Sequence, residues 1–218
     1  MKIEAYLSIL FLVGCTNADL RQDKDILNNT LKVSYKNLDN SLEINRTGLM
    51  FSNGEKAKNC NSYFLLNSKY SIEESVHNQL VKSEYLICEA LDILIKSTSI
   101  EPKEGTDLNF GRRLKDQLDL RTFPSSLYRV SSKESHTLGS LFPKNSHAGH
   151  NIAELQTDEW TFILEVVGLA DVNDNSFSDW IVWVTDESKV GNYKSYSTII
   201  IVDPDKQRKL EAMKYPVN

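Results

Sequence analysis

Residues Trp160–Asp186 read WTFILEVVGLADVNDNSFSDWIVWVTD. Two apolar runs, rich in β-branched and aromatic residues, flank a turn made almost wholly of oxygen-bearing side chains. A third run, SYSTIIIVDPD (Ser195–Asp205), follows DESKVGNYK, which has the composition of a hairpin connection. Runs of this length between turn residues read as adjacent antiparallel strands. They are densely apolar, which predicts a central place in the sheet with an earlier helix covering it. Trp180 and Trp183 are three apart, so strand alternation sends them to opposite faces.

That helix is expected upstream. Ile72, Val76, Leu80, Ile87, Leu91 and Leu94 recur at helical spacings. Ser71 with Glu74 has the form of a capping box, and STSIEPKEG breaks the pattern after about Lys96. Helix and strands together predict an α+β fold: a single domain whose C-terminal antiparallel sheet packs against a long helix from the N-terminal half. Other segments are less decided. LKVSYKNLDNSLEI fits a strand at Leu31, Val33 and Tyr35 and a helix at Tyr35, Leu38 and Leu42. Asn53-Gly54 marks a turn. A short helical piece follows Leu108 and ends near Phe123-Pro124. The polar stretch from Ser131 to Asn151 holds three of the four histidines.

The chain has 218 residues, 40% of them apolar, and a formal net charge of −5. This is the composition of an ordinary globular protein of one or two domains. No block of Lys and Arg offsets the negative charge, so a nucleic-acid partner is not expected.

The first fifteen residues are MKIEAYLSILFLVGC. A charged start and a short apolar core have the form of a signal peptide, and the core is too short for a permanent membrane span. Leu12-Val13-Gly14-Cys15 resembles the lipobox of bacterial lipoproteins. The resemblance implies that residues 1–14 are removed and that the Cys15 thiol receives diacylglycerol. It implies a membrane partner through that lipid and a place in the bacterial cell envelope. Thr16 stands where aspartate would favour inner-membrane retention, so the outer membrane is favoured where the organism has one. Residues 15–30 read as a polar tether and residues 31–218 as the α+β domain.

Cys60 and Cys88 are then the only cysteines left, and an oxidising compartment would join them. Neither has a sequence-linked histidine in a known nucleophile pattern.

The oxygen-rich turn places Asp171, Asn173, Asn175, Phe177 and Asp179 at alternating positions. Calcium takes six to eight oxygen ligands, and carboxylate, amide and main-chain carbonyl oxygens at such spacing can supply them. The pattern departs from an EF-hand, since Ser176 replaces the usual glycine and Val182 the usual glutamate. It resembles the strand–loop–strand calcium loops of integrin-type FG-GAP repeats. That likeness implies a structural Ca2+ held by the side chains of Asp171, Asn173, Asn175 and Asp179 and by the Phe177 carbonyl. The alternative is a turn folded by its own side-chain hydrogen bonds. Asp174 would point outward in either case.

His147, His150 and Glu154 form the one histidine-rich cluster, and two imidazoles with a carboxylate could hold zinc. Their spacing matches no zinc-protease signature. Two functional classes therefore remain. The leading one is a lipid-anchored, non-enzymatic envelope protein, inhibitor- or immunity-like, that binds another protein or a wall component. The alternative is an envelope hydrolase using the acidic loop or the His147/His150/Glu154 cluster.

Overall fold

The computed structural model describes residues 24–99 and 109–216. The proposed signal peptide, Cys15 and residues 16–23 lie outside that range. The chain enters as β1 (Asp25–Ile26), then α1 (Asn29–Lys36), α2 (Leu38–Glu43), β2 (Leu49–Met50), β3 (Lys56–Ala57) and α3 (Cys60–Asn67). Next come α4 (Val76–Val81), a 3-10 turn (Lys82–Tyr85), α5 (Leu86–Lys96), α6 (Phe110–Gln117) and a second 3-10 turn (Ser126–Val130). The last third holds α7 (Leu138–Leu141), β4 (Ser146–Ala148), β5 (Ile152–Gln156), β6 (Trp160–Ala170), β7 (Asp179–Ser188), β8 (Lys194–Ile201) and β9 (Met213–Lys214).

The fold is α+β, built on one antiparallel sheet of seven strands. Its order is β4-β5-β6-β7-β8-β9, with β1 joining β6 beyond the end of β5. β2 and β3 form a separate hairpin around Gly54, whose φ of +83° is the left-handed turn that Asn53-Gly54 predicts.

Both faces of the sheet are covered, which explains the near-continuous apolar runs. Val167, Ala170, Ile181 and Ile200 pack with α1, α3 and α5. Phe162, Leu164, Trp180, Val182, Ile199 and Ile201 pack with α6 and the loops around it. The two tryptophans divide between these faces: Trp180 belongs to the second cluster and Trp183 packs against the first. Arg113 of α6 lies 4.7 Å above the Trp180 ring, and Phe110 meets that ring edge-on at 5.0 Å. The approach of α6 requires a glycine. The Gly111 N–H donates to the His150 carbonyl, and a Cβ there would sit 2.2 Å from the Ile152 carbonyl oxygen.

Several segments differ from their sequence-based expectations. The single helix expected over 71–96 is two helices with a 3-10 turn between them. Residues 71–75 run extended beside β2 instead, with Ser52 N–H donating to Ser71 O and Glu73 N–H to Met50 O. Asn78 holds them there. Its side chain accepts from Met50 N–H and donates to the carbonyls of Met50 and Glu73. The helix cap is accordingly Ser75, whose hydroxyl accepts from Asn78 N–H. LKVSYKNLDNSLEI is helical throughout, as α1 and α2. The polar stretch before Asn151 holds α7 and β4. The fold also begins before residue 31. β1 pairs with β6, and Asn28 caps α1 while its amide donates to Glu165 at 2.9 Å.

Cys60 at the start of α3 is bonded to Cys88 on α5, with Cα atoms 5.1 Å apart. Both are fully buried. The bond ties the short N-terminal helices to the helix that lies against the sheet.

Candidate functional site

The β6–β7 turn was the first place expected to carry chemistry. Asp171 is its hub. One carboxylate oxygen accepts from Asn175 N–H at 3.0 Å and the other from Ser176 N–H at 2.6 Å. Burial alone would raise this carboxyl's pKa. The N–H groups of Ser176 and Asn175, the Thr98 hydroxyl and the Asn173 N–H outweigh burial and hold it below the usual carboxylate range. Asp179 closes the turn, accepting from Val172 N–H and Asp203 N–H, both at 2.8 Å. Its pKa moves the other way. Burial raises it beyond what those two donors offset, and the charges of Asp203 and Asp171 add to the rise.

Asn175 bridges outward. Its oxygen accepts from Phe177 N–H and its amide donates to both oxygens of Asp203. Asn173 and Asp174 are exposed. The Phe177 ring lies under the Lys206 ammonium, 3.3 Å from it. Asp174 and Ser176 both take left-handed backbone angles, φ 58° and 66°. Ser176 thus makes the sharp turn that glycine makes at the same position of an EF-hand loop.

Two features bear on calcium. The backbone has the required curl, and Asp171 and Asp179 both face inward. Yet the oxygens of Asp171, Asn175 and Asp179 already accept N–H groups, so a cation would share oxygens that hold the turn without it. Among the described residues, no three Asp, Glu, His or Cys side chains converge as a metal cluster.

The histidine cluster is only partly assembled. His147 on β4 stands directly across from Glu154 on β5. His150 lies in the connecting turn, where its ring meets Phe110 edge-on at 5.9 Å and its carbonyl accepts from Gly111. His136 hydrogen-bonds the Lys133 carbonyl.

A third place emerges only from the structure. A cleft of about 770 Å³ runs between residues 68–75 on one side and β8 with Tyr215-Pro216 on the other. Glu89 of α5 lies at its floor, 3% exposed. Its carboxylate accepts from the Tyr63 hydroxyl at 2.6 Å and from Lys82 Nζ and the Thr198 hydroxyl, each at 2.7 Å. Burial, then the adjacent Glu89 charge, pushes the Tyr63 phenol well above its ordinary pKa. One turn on, Asp92 accepts from the Tyr215 hydroxyl at 2.8 Å and from Lys96 at 2.7 Å. The signal for this network is the pair of acids inside the apolar helix LICEALDIL. Buried acids with this many donors are structural anchors first, because an unpaired buried charge is costly.

No helix among the described residues is long and apolar enough to cross a membrane. No family model, curated protein or solved structure matches the chain.

Proposed function

We propose that this chain is an exported bacterial envelope protein, anchored by lipid on Cys15, that acts as a binding module for another protein or a wall component. The observation that carries this reading is the Cys60–Cys88 bond. Disulfides persist in oxidising compartments, and this one uses both cysteines other than Cys15. The lipobox-like Leu-Val-Gly-Cys junction gives the remaining cysteine a role, and Thr16 favours the outer membrane. A binding role is favoured over hydrolysis because the candidate catalytic groups are engaged in folding. Asp171 and Asp179 hold backbone N–H groups, and His150 packs on Phe110.

The anchor has a direct test. Full-length protein made in a bacterial host should partition into detergent and carry the mass of a diacylglyceryl group. Cys15→Ala should abolish both. Recovery of uncleaved, unmodified wild-type chain in the cytoplasm would remove the reading.

We also propose that the β6–β7 turn takes a weakly held structural calcium. The support is its backbone, left-handed at Asp174 and Ser176, with three nearby carboxylates whose mutual repulsion a cation would relieve. Two charged ligands imply affinity near the millimolar range of extracellular modules. Calcium should then raise the melting temperature of chelated protein in proportion to RT ln(1 + [L]/Kd). Asp171→Ala and Asp179→Ala should each remove that response and also lower the melting temperature without calcium, because each releases two or more N–H groups. Asp174→Asn should leave the response in place. Calorimetric titration after chelation decides the matter. No heat and no melting shift at roughly 10 mM calcium would leave the turn held by hydrogen bonds alone.

A further inference from the structure

β8 is paired along its whole length on one side and along part of it on the other. Its inner edge matches β7 from Lys194 to Ile201. Its outer edge meets β9 at Ile199 and Ile200, and the Tyr215 N–H then donates to the Thr198 carbonyl at 2.9 Å. That bond sets the phase of the strand. Main-chain groups of alternate residues point to opposite neighbours. Thr198 points outward, so Tyr196 and Lys194 do as well. The Lys194 N–H reaches the Gln79 side chain on α4, at 3.4 Å. The Tyr193 carbonyl accepts from Ser188 N–H on the inner side, as this phase requires.

Four main-chain groups remain on the outer edge: Lys194 C=O, Tyr196 N–H, Tyr196 C=O and Thr198 N–H. Among the described residues none of them has a hydrogen-bond partner on that side. They border the cleft, whose lining includes Lys194, Tyr196, Tyr215 and Pro216. The facing wall, residues 68–75, is polar apart from Tyr70 and Ile72.

We propose that this cleft takes an extended peptide segment of a partner protein, which adds to the outer edge of β8 as an antiparallel strand and prolongs the track of β9. The proposal rests on the binding-module reading and names its partner's chemistry. Acceptor, donor, acceptor and donor follow one another at strand spacing, and another extended backbone complements that order. The cleft supplies the width for such a strand between β8 and the 68–75 wall. Exposed Tyr70 and Tyr193 flank it and offer rings to the incoming side chains.

The test is selection of a phage-displayed random dodecamer library on the full chain in detergent, followed by synthesis of the selected dodecamers. They should slow hydrogen exchange at the Tyr196 and Thr198 amides. Methylating alternate amide nitrogens of the peptide should weaken binding by at least about tenfold. Tyr196→Pro should do the same and still fold, because this N–H faces away from the β7 ladder and proline is tolerated at such edge positions. Tyr196→Phe, which removes only the hydroxyl bonded to Glu187, should bind as wild type does. If Tyr196→Pro fails to fold, the exchange and methylation results decide. Dodecamers that bind Tyr196→Pro equally well, or leave both amides unprotected, would overturn the proposal, and so would a library that yields no binder. Loss of the Cys15 lipid mass would overturn the anchor alone, since peptide binding is read independently of it.

Discussion

Glu89→Ala should lower the unfolding free energy by about 3–5 kcal/mol, the range for deleting one partner of a buried charged network. The carboxylate is the shared acceptor for Tyr63, Lys82 and Thr198, from α3, the 3-10 turn and β8. Without it, two hydroxyls and an ammonium lose their acceptor together. The Lys82 side chain is only 13% exposed, so water offers little replacement. For a domain of this size the melting temperature should fall by about 6–20 °C. Glu89→Gln keeps an oxygen for Tyr63 and lets the Thr198 hydroxyl rotate, but it loses the charge opposite Lys82. Its cost should be lower, about 1.5–3 kcal/mol. Thermal and urea unfolding of the two variants would check the order as well as the size. Equal stability of Glu89→Ala and wild type would mean that the network contributes nothing net.

Removing the Cys60–Cys88 bond should cost about 2–5 kcal/mol, as for native disulfides in exported domains. The bond closes a loop of 28 residues containing most of α3, the extended 71–75 segment, α4 and the 3-10 turn. These are short pieces with little helical stability of their own. The double substitution Cys60→Ala, Cys88→Ala separates loss of the cross-link from free-thiol chemistry. Its melting temperature should match that of the reduced wild type. Peptide mapping of freshly prepared, alkylated protein gives the companion result: one Cys60–Cys88 peptide and no alkylated Cys60 or Cys88. Two freely alkylated thiols there would contradict the bond.

The sheet was legible in the sequence because burial on both faces leaves a strong mark. β6, β7 and β8 carry apolar residues on both sides, and the hairpin residues between them interrupt the pattern. The helix was harder. Its periodicity continues through Ile72 and Val76, and nothing in that pattern records that Asn78 binds the backbone of β2. One polar side chain with three distant main-chain partners displaced the start of the helix by several residues. The same blindness applies to Glu89 and Asp92. Acids in a helix ordinarily read as its wet face. Their burial depends on Tyr63, Lys82, Thr198 and Tyr215, which come from four other parts of the chain.

The acidic turn was legible in its directions, with Asp171 and Asp179 inward and Asp174 outward, because Asx chemistry is local. The role of Asp203 was not, since it arrives from beyond β8 to meet Asn175 and Asp179. The His147, His150 and Glu154 grouping was an inference from closeness along the chain. The hairpin sets His147 opposite Glu154 but turns His150 to pack on Phe110.

The entry of the chain at β1 gives the molecule a top and a bottom. β1 lies against Gly168 and Leu169, next to the Asp171–Asp179 turn. If Cys15 carries lipid, the nine residues from it to Lys24 can span at most about 30 Å. That end of the sheet is therefore held near the bilayer. The far end of β7 lies roughly 30–35 Å away along the strand, and the Lys194 end of β8 lies there with it. The acidic turn would look down at the headgroups, while the open edge of β8 would look away from them. Distance from the surface would then select partners before affinity does, because only a segment that extends beyond the height of the domain could reach that edge.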